Sequence, residues 1–269
     1  MTSTIEYTHL AGDGEPVVLI HGIGHRRQAW GEVPALLHAR GHDVYVVDLP
    51  GHGSSPVPTR PDGYSMGSHA EQFERLFGEL GIERPHVVGN SLGGAMVLEM
   101  AHRGIVRTAT ALSPAGFFPL LHLPNVTVNL LLMKGGSHLP ESLHRKLNGY
   151  GWFRKIAFRS LYSHPEKVSA EDAMGDTLNL RRSKGYWPHF VRAPRLRVTN
   201  LVVVPTTIGW GDTDRLLLPS EAKVARERLP EATHVSLPDC GHCPQIDHPE
   251  LVVDLIVATM ERAEDASAV

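Results

Sequence analysis

Five polar residues far apart in the chain have the types needed to split an acyl bond: Ser91, His21, His242, Asp212 and Asp214. A serine hydroxyl is a weak nucleophile at neutral pH. It needs a histidine base in contact, and that base needs a carboxylate to orient it. Ser91 lies in Gly89-Asn90-Ser91-Leu92-Gly93-Gly94, which follows the apolar run Val87-Val88 and precedes residues with helical spacing (Ala95, Leu98, Glu99, Ala101, His102). This fits G-x-S-x-G. A sharp strand-to-helix turn holds such a serine strained and exposed, with small residues on either side so that strand and helix backbones approach closely. The helix start beneath it supplies N–H donors for a developing oxyanion. Those donors would be the backbone N–H of Leu92 and that of Ile23.

Of the two bases, His21 directly precedes Gly22-Ile23-Gly24 and reads as a structural hydrogen-bonder, whereas His242 follows Gly241 in a late loop and is the better base. No Asp or Glu occurs between Arg107 and Pro140, so the acid falls to Asp212 or Asp214. Asp212 sits inside a tight Gly-Asp turn. Asp214 lies one step beyond it, before Arg215, and is favoured. The order Ser91, Asp214, His242 is the Ser…Asp…His order expected where the serine sits on such a strand-to-helix turn.

These residues need elements to carry them. Residues 4–9 read as a strand. Val17–Ile20, Val44–Val47, Val87–Val88, Thr108–Leu112, Leu201–Trp210 and Thr233–Leu237 read as further strands, mostly the continuous apolar runs expected when both sheet faces are covered. Helices are expected over about 28–39 and 68–80, after Ser91, after Pro219, and from Pro249 into a polar tail. Strands alternating with helices imply right-handed crossovers and an α/β fold with a doubly wound, mostly parallel sheet. Ligands bind beyond the carboxyl ends of such strands, and His21, Ser91, Asp212/Asp214 and His242 all fall there. The alternation breaks over 117–197. That stretch is expected to be a helical cap inserted into a core of 1–116 and 198–269, lying over the same edge.

The chain has 269 residues, a net charge of −3 and two cysteines. There is no basic footprint for nucleic acid, no apolar run of membrane-spanning length, and no basis for a disulfide framework. Met1–Leu10 lacks the pattern of a secretory leader, so a cytoplasmic setting is expected. The expected partner is a small-molecule substrate, with oligomeric state left open and no cofactor or metal required.

The chain resembles the α/β-hydrolase fold superfamily. The resemblance is carried by His21-Gly22-Ile23-Gly24, Asp48-Leu49-Pro50-Gly51-His52-Gly53-Ser54, Gly89-Asn90-Ser91-Leu92-Gly93-Gly94, Trp210-Gly211-Asp212-Thr213-Asp214-Arg215 and Gly241-His242. It implies the fold, an oxyanion amide at Ile23 and the acid at Asp214. Related dehalogenases and epoxide hydrolases carry Asp at the nucleophile position, and Ser91 stands there instead. Hydrolysis of a carboxylic ester through an acyl-enzyme is the expected reaction. Asn90-Ser91 also resembles C–C bond hydrolases of aromatic degradation, but those carry Trp after the catalytic histidine, where this chain has Cys243. A non-catalytic binding protein on the same fold is the alternative from another class. Cys240-Gly241-His242-Cys243 admits two more readings, a redox pair or a zinc site with His248. Apolar runs at 117–121 and 130–133 would either line a hydrophobic pocket or pack the cap onto the sheet. Tyr150, Trp152, Trp187 and His189 are further candidates for substrate contact, and Trp30 is expected in the core.

Overall fold

The computed structural model describes residues 5–60 and 62–267, with side chains of the last helix described through Ala263. Seven strands form one sheet: β1 (Tyr7–Leu10), β2 (Pro16–Ile20), β3 (Asp43–Val47), β4 (His86–Asn90), β5 (Thr108–Leu112), β6 (Thr206–Gly211) and β7 (Thr233–Leu237). Their order is β1-β3-β2-β4-β5-β6-β7, with β1 antiparallel to β3 and every other pair parallel. The order reverses beside β2, the shortest route for right-handed crossovers that send helices to both faces. Thr4, at the start of the first expected strand, and the tail residues Ala268 and Val269 lie outside the described residues.

The apolar runs are continuous because consecutive side chains point to opposite, equally covered faces. Val18, Ile20 and Val87 pack toward α2 (Met66–Leu80) and α3 (Leu92–Arg103). Val17, Leu19 and Val88 pack toward α1 (Val33–Ala39) and the terminal helix, with Trp30 fully buried among them. Each such side chain contributes about 1.5–3 kcal/mol by leaving water. α2 is held at its ends by Ser65, whose hydroxyl accepts from the Ser68 N–H at 3.2 Å, and by Gly81 in the left-handed region.

Two expected elements come out differently. The helix expected over 28–39 is a 3-10 turn, Arg27–Trp30, followed by α1. Gly31 separates them with φ +52°, which no helix accommodates. The strand expected from Leu201 begins only at Thr206. Leu201 and Val203 are exposed, and Pro205 has no N–H for a ladder.

Between β5 and β6 the chain forms five helices: α4 (Leu123–Gly136), α5 (Glu141–Asn148), α6 (Gly151–Ala157), α7 (Ala170–Arg182) and α8 (Tyr186–Arg192). They pack over the carboxyl ends of the strands. Asn179 donates to the carbonyls of Gly24 and His25, both at 2.8 Å. Arg26 pairs with Asp176 at 2.8 Å, and the Gly185 N–H donates to the Gly51 carbonyl at 2.9 Å. A small apolar cluster of Leu161, Tyr162, Val168, Leu216 and Cys243 joins these helices to the sheet edge. After β6 come α9 (Glu221–Arg228), β7, the short α10 (Pro244–Asp247) and α11 (Pro249–Ser267). No helix among the described residues is long and apolar enough to cross a membrane.

Candidate active site

β4 ends at Asn90 and α3 begins at Leu92, so Ser91 alone makes the turn, with φ +57° and ψ −112°. A non-glycine residue there stores roughly 1–3 kcal/mol of strain. The neighbouring glycines explain why the chain can turn so sharply. A Cβ on Gly89 would stand 2.2 Å from the Gly93 carbonyl oxygen, and one on Gly93 would stand 2.3 Å from that of Ile20. Neither position admits any side chain.

His242 follows β7 and is buried, as is Asp214 after β6. His242 Nδ1 donates to Asp214 Oδ2 at 2.8 Å. Asp214 Oδ1 accepts from the N–H groups of Leu216 and Leu217, each at 2.9 Å. The carboxylate is thus fully occupied in holding one histidine nitrogen, and Nε2 is the nitrogen left for chemistry. Asp212 is exposed and does not join them. Ser91 and His242 line the same cavity, of about 450 Å³, whose other walls come mainly from α4–α7. A second cavity of about 220 Å³ also reaches Ser91. Ile23, Ser91, Leu130 and Leu216 line both, and Leu92 lines the smaller.

The other sequence candidates find separate places. His21 is fully buried. Its Nδ1 donates to the Gly22 carbonyl at 2.7 Å and its Nε2 accepts from the Leu49 N–H at 3.0 Å. Desolvation pushes its pKa down to about 3, so it stays a neutral strut. In the Asp48–Ser54 loop, Asp48 accepts from the N–H groups of Arg27 at 2.7 Å and Ser54 at 2.9 Å, which is a structural clasp. Burial raises the Cys240 thiol to about 12 and lifts Cys243 as well, the reverse of what a reactive thiol pair needs. Cys243 turns its sulfur to Asn90 Oδ1 at 3.5 Å, while His248 approaches Asp239, so the four donors of the Cys/His zinc reading are not gathered. Phe117 and Phe118 are core residues, and Phe118 also lines the smaller cavity. Tyr150, Trp152 and Trp187 are half exposed, whereas His189 is buried beside that smaller cavity.

Two residues matter here that spacing did not single out. Asn90 donates to the His242 carbonyl at 2.8 Å and so ties the serine turn to the histidine loop. Asp247 accepts from the N–H groups of Gly241 at 2.8 Å, Ser163 at 3.0 Å and His164 at 2.8 Å. It thereby pins both the histidine loop and the helical segment. Only its position a few residues after His242 hinted at such a role.

Comparison with known proteins agrees with this architecture. The family described as "Alpha/beta hydrolase family" is matched over residues 17–255. The uncharacterized protein Rv2715 of Mycobacterium tuberculosis is 30% identical over 96% of this chain and 78% of its own. A 2-hydroxy-6-oxononadienedioate/2-hydroxy-6-oxononatrienedioate hydrolase of a Pseudomonas species is 27% identical over 94% of this chain and 90% of its own. The solved structure of a thermophilic esterase from Thermogutta terrifontis superposes with a TM-score of 0.72 at 22% identity, covering 96% of this chain and 93% of that one. With Ser91, Asp214 and His242 at three strand ends of one sheet, this chain belongs to the α/β-hydrolase family.

Proposed function

We propose that this hydrolase cleaves small, hydrophobic carboxylic esters through an acyl-enzyme on Ser91. The observation that carries the reading is the strained Ser91 turn, opening on the same cavity as a histidine whose far nitrogen is held by Asp214. His242 Nε2 takes the Ser91 proton as Oγ attacks the carbonyl carbon. The N–H groups of Ile23 and Leu92 receive the oxyanion. The tetrahedral intermediate expels the alkoxide, which leaves with the proton from His242. Water then attacks the acyl-enzyme with His242 again as base, releasing the acid and restoring Ser91. Asp214 keeps the imidazole in one tautomer and stabilises its cation.

Residues 117–197 act in this proposal as a cap on the core of 1–116 and 198–269. Two cavities meeting at Ser91 suit an ester, with acyl and alcohol parts on opposite sides of the carbonyl. The larger is walled by Leu132, Met133, Phe153 and Ile156 among others, which favours an apolar part there. The test is intact mass after a fluorophosphonate, followed by turnover of esters graded in acyl length. A single adduct on the natural chain and none on Ser91→Ala supports the reading, as does a preference for longer acyl groups over acetate. No adduct on either would return the chain to the binding-protein class. The likeness to the dienedioate hydrolase keeps C–C cleavage as the second reading; turnover of a 2-hydroxy-6-oxo-dienoate in preference to every ester would select it.

A further inference from the structure

Away from the cavity, three side chains from three separate segments converge on one point. His164 comes from the loop after α6, Asp239 from the loop after β7, and His248 from the residue between α10 and α11. His164 Nε2 lies 2.7 Å from Asp239 Oδ2, and His248 Nε2 lies 3.7 Å from that same oxygen. All three ligand atoms fall within 4.8 Å of one another. We propose that His164, Asp239 and His248 form a binding site for a divalent zinc-type ion that clamps the helical segment to the loop carrying His242.

The donor chemistry selects the ion. Two imidazole nitrogens and one carboxylate oxygen suit zinc and its neighbours, whereas magnesium and calcium prefer oxygen throughout. In a tetrahedral site with bonds near 2.0–2.1 Å, neighbouring ligand atoms stand about 3.4 Å apart. The His164–Asp239 pair would open from 2.7 Å and the Asp239–His248 pair would close from 3.7 Å, both by side-chain rotation. The rings of His164 and His248 meet edge to face at 89°, with centroids 5.6 Å apart, so their nitrogens approach one point without the rings colliding. The fourth position opens to solvent, because all three side chains are partly exposed.

The surroundings are those of a held site. His248 Nε2 is itself shielded from water and has Asp239 Oδ2, at 3.7 Å, as its nearby polar atom, so its lone pair is available to an ion. Asp239 is locked at φ +55°. The His164 backbone is fixed by Asp247, and Glu166 Oε1 stands 3.4 Å from His164 Nδ1. That carboxylate would accept a hydrogen bond from Nδ1–H and so leave Nε2 free for the ion, the usual outer partner of a metal-bound histidine. Asp239 precedes His242 by three residues. A bound ion would therefore brace the loop on which the proposed base rides, without entering the chemistry.

The experiment is equilibrium dialysis of the full chain against Zn2+, with metal per chain measured for the natural protein, His164→Ala, His248→Ala and Glu166→Gln. One equivalent on the natural chain, weakened at least tenfold by either alanine and about 10–100-fold by Glu166→Gln, supports the site. Co2+ in place of zinc should give the intense visible bands of a four-coordinate ion, and these should vanish in His248→Ala. Zinc should raise Tm for the natural protein and leave His248→Ala unmoved. With 17 histidines in the chain, binding elsewhere is the rival. Zinc bound equally by His248→Ala and the natural protein, or by neither, would falsify the proposal. His248 is half exposed, so that variant keeps the fold, which its circular dichroism would verify.

Discussion

Residues 117–197 carry thirteen Lys and Arg against five Asp and Glu, whereas the rest of the chain carries thirteen against twenty-four. Among the described residues, that same stretch holds twelve of the sixteen large apolar side chains left exposed, Leu121 and Leu132 among them. The sheet and its flanking helices bury their apolar residues on two faces and leave an acidic surface. The helices above are basic, and apolar on the outside as well as toward the cavity. Leu132, Leu139 and Ile156 are exposed and line the larger cavity, so they form its mouth. The difference separates two jobs. Around Ser91 and His242, hydrogen bonds of the sheet edge fix the backbone of the serine turn and the orientation of the histidine. In the helices over it, apolar surface without fixed partners defines the space a substrate would fill.

That division can be broken experimentally. Ser91→Ala or His242→Ala should lower kcat by roughly 10³–10⁶-fold with unchanged circular dichroism; near-normal turnover in either would remove the sheet edge from the chemistry. Asp214→Asn should cost on the order of 10³–10⁴-fold, since the imidazole would lose its orienting anion. Exposed Asp212→Asn should change little, and the reverse ranking would move the acid. Substitutions at the cavity mouth should act differently. Leu132→Ala and Ile156→Ala should shift kcat/KM for long acyl esters by up to about tenfold and leave acetate untouched. An equal loss on both substrates would mean that the helices serve the chemistry rather than the fit.

The seam between the two regions has its own signature. His69 on α2 and His189 on α8 meet at 2.9 Å between their Nε2 atoms, and His52 of the Asp48–Ser54 loop lies beside His189. The His189 Nδ1 proton goes to the Gly185 carbonyl, so His69 donates and His189 accepts, which requires a neutral His189 ring. Arg192 faces them from α8, Tyr64 packs on both rings, and His21 and Asp48 face His52. Burial depresses His52 and His69 to about 3 and holds His189 low as well. Unfolded histidines bind protons near pH 6.5, and these do so only far lower. Stability is therefore complete above about pH 6.5 and declines as pH falls toward 3, by about 1.4 kcal/mol per pH unit for each such group. Denaturant midpoints at pH 7, 6 and 5 would measure it. His69→Gln should flatten the slope, and an unchanged slope would place the titration elsewhere.

Much of this was legible in the chain. The apolar runs announced the strands because both sheet faces are covered, and Gly89 and Gly93 announced the turn because no Cβ fits there. Asp214 could be favoured over Asp212 from its place just past the turn. The role of Asn90 could not be read, because its bond to the His242 carbonyl joins residues 152 apart in sequence. The break at Gly31 was missed because apolar periodicity is blind to a single residue with positive φ. The stretch 117–197 could be read as helical but its helices could not be bounded, and α4 shows no period because its surface is apolar on more than one side.

Leu216 and Leu217 steady Asp214 with their backbone N–H groups, and both residues line cavity wall, Leu216 that of both cavities. Pocket shape and the geometry of the proposed triad are therefore written into the same two residues. An engineer who enlarges the cavity at Leu216 works on a residue whose backbone N–H anchors the proposed triad carboxylate, so selectivity and turnover should trade against each other there. Changes at Leu132 or Ile156, which hold no part of the proposed triad, offer a route to new substrates that should leave Ser91, Asp214 and His242 in place.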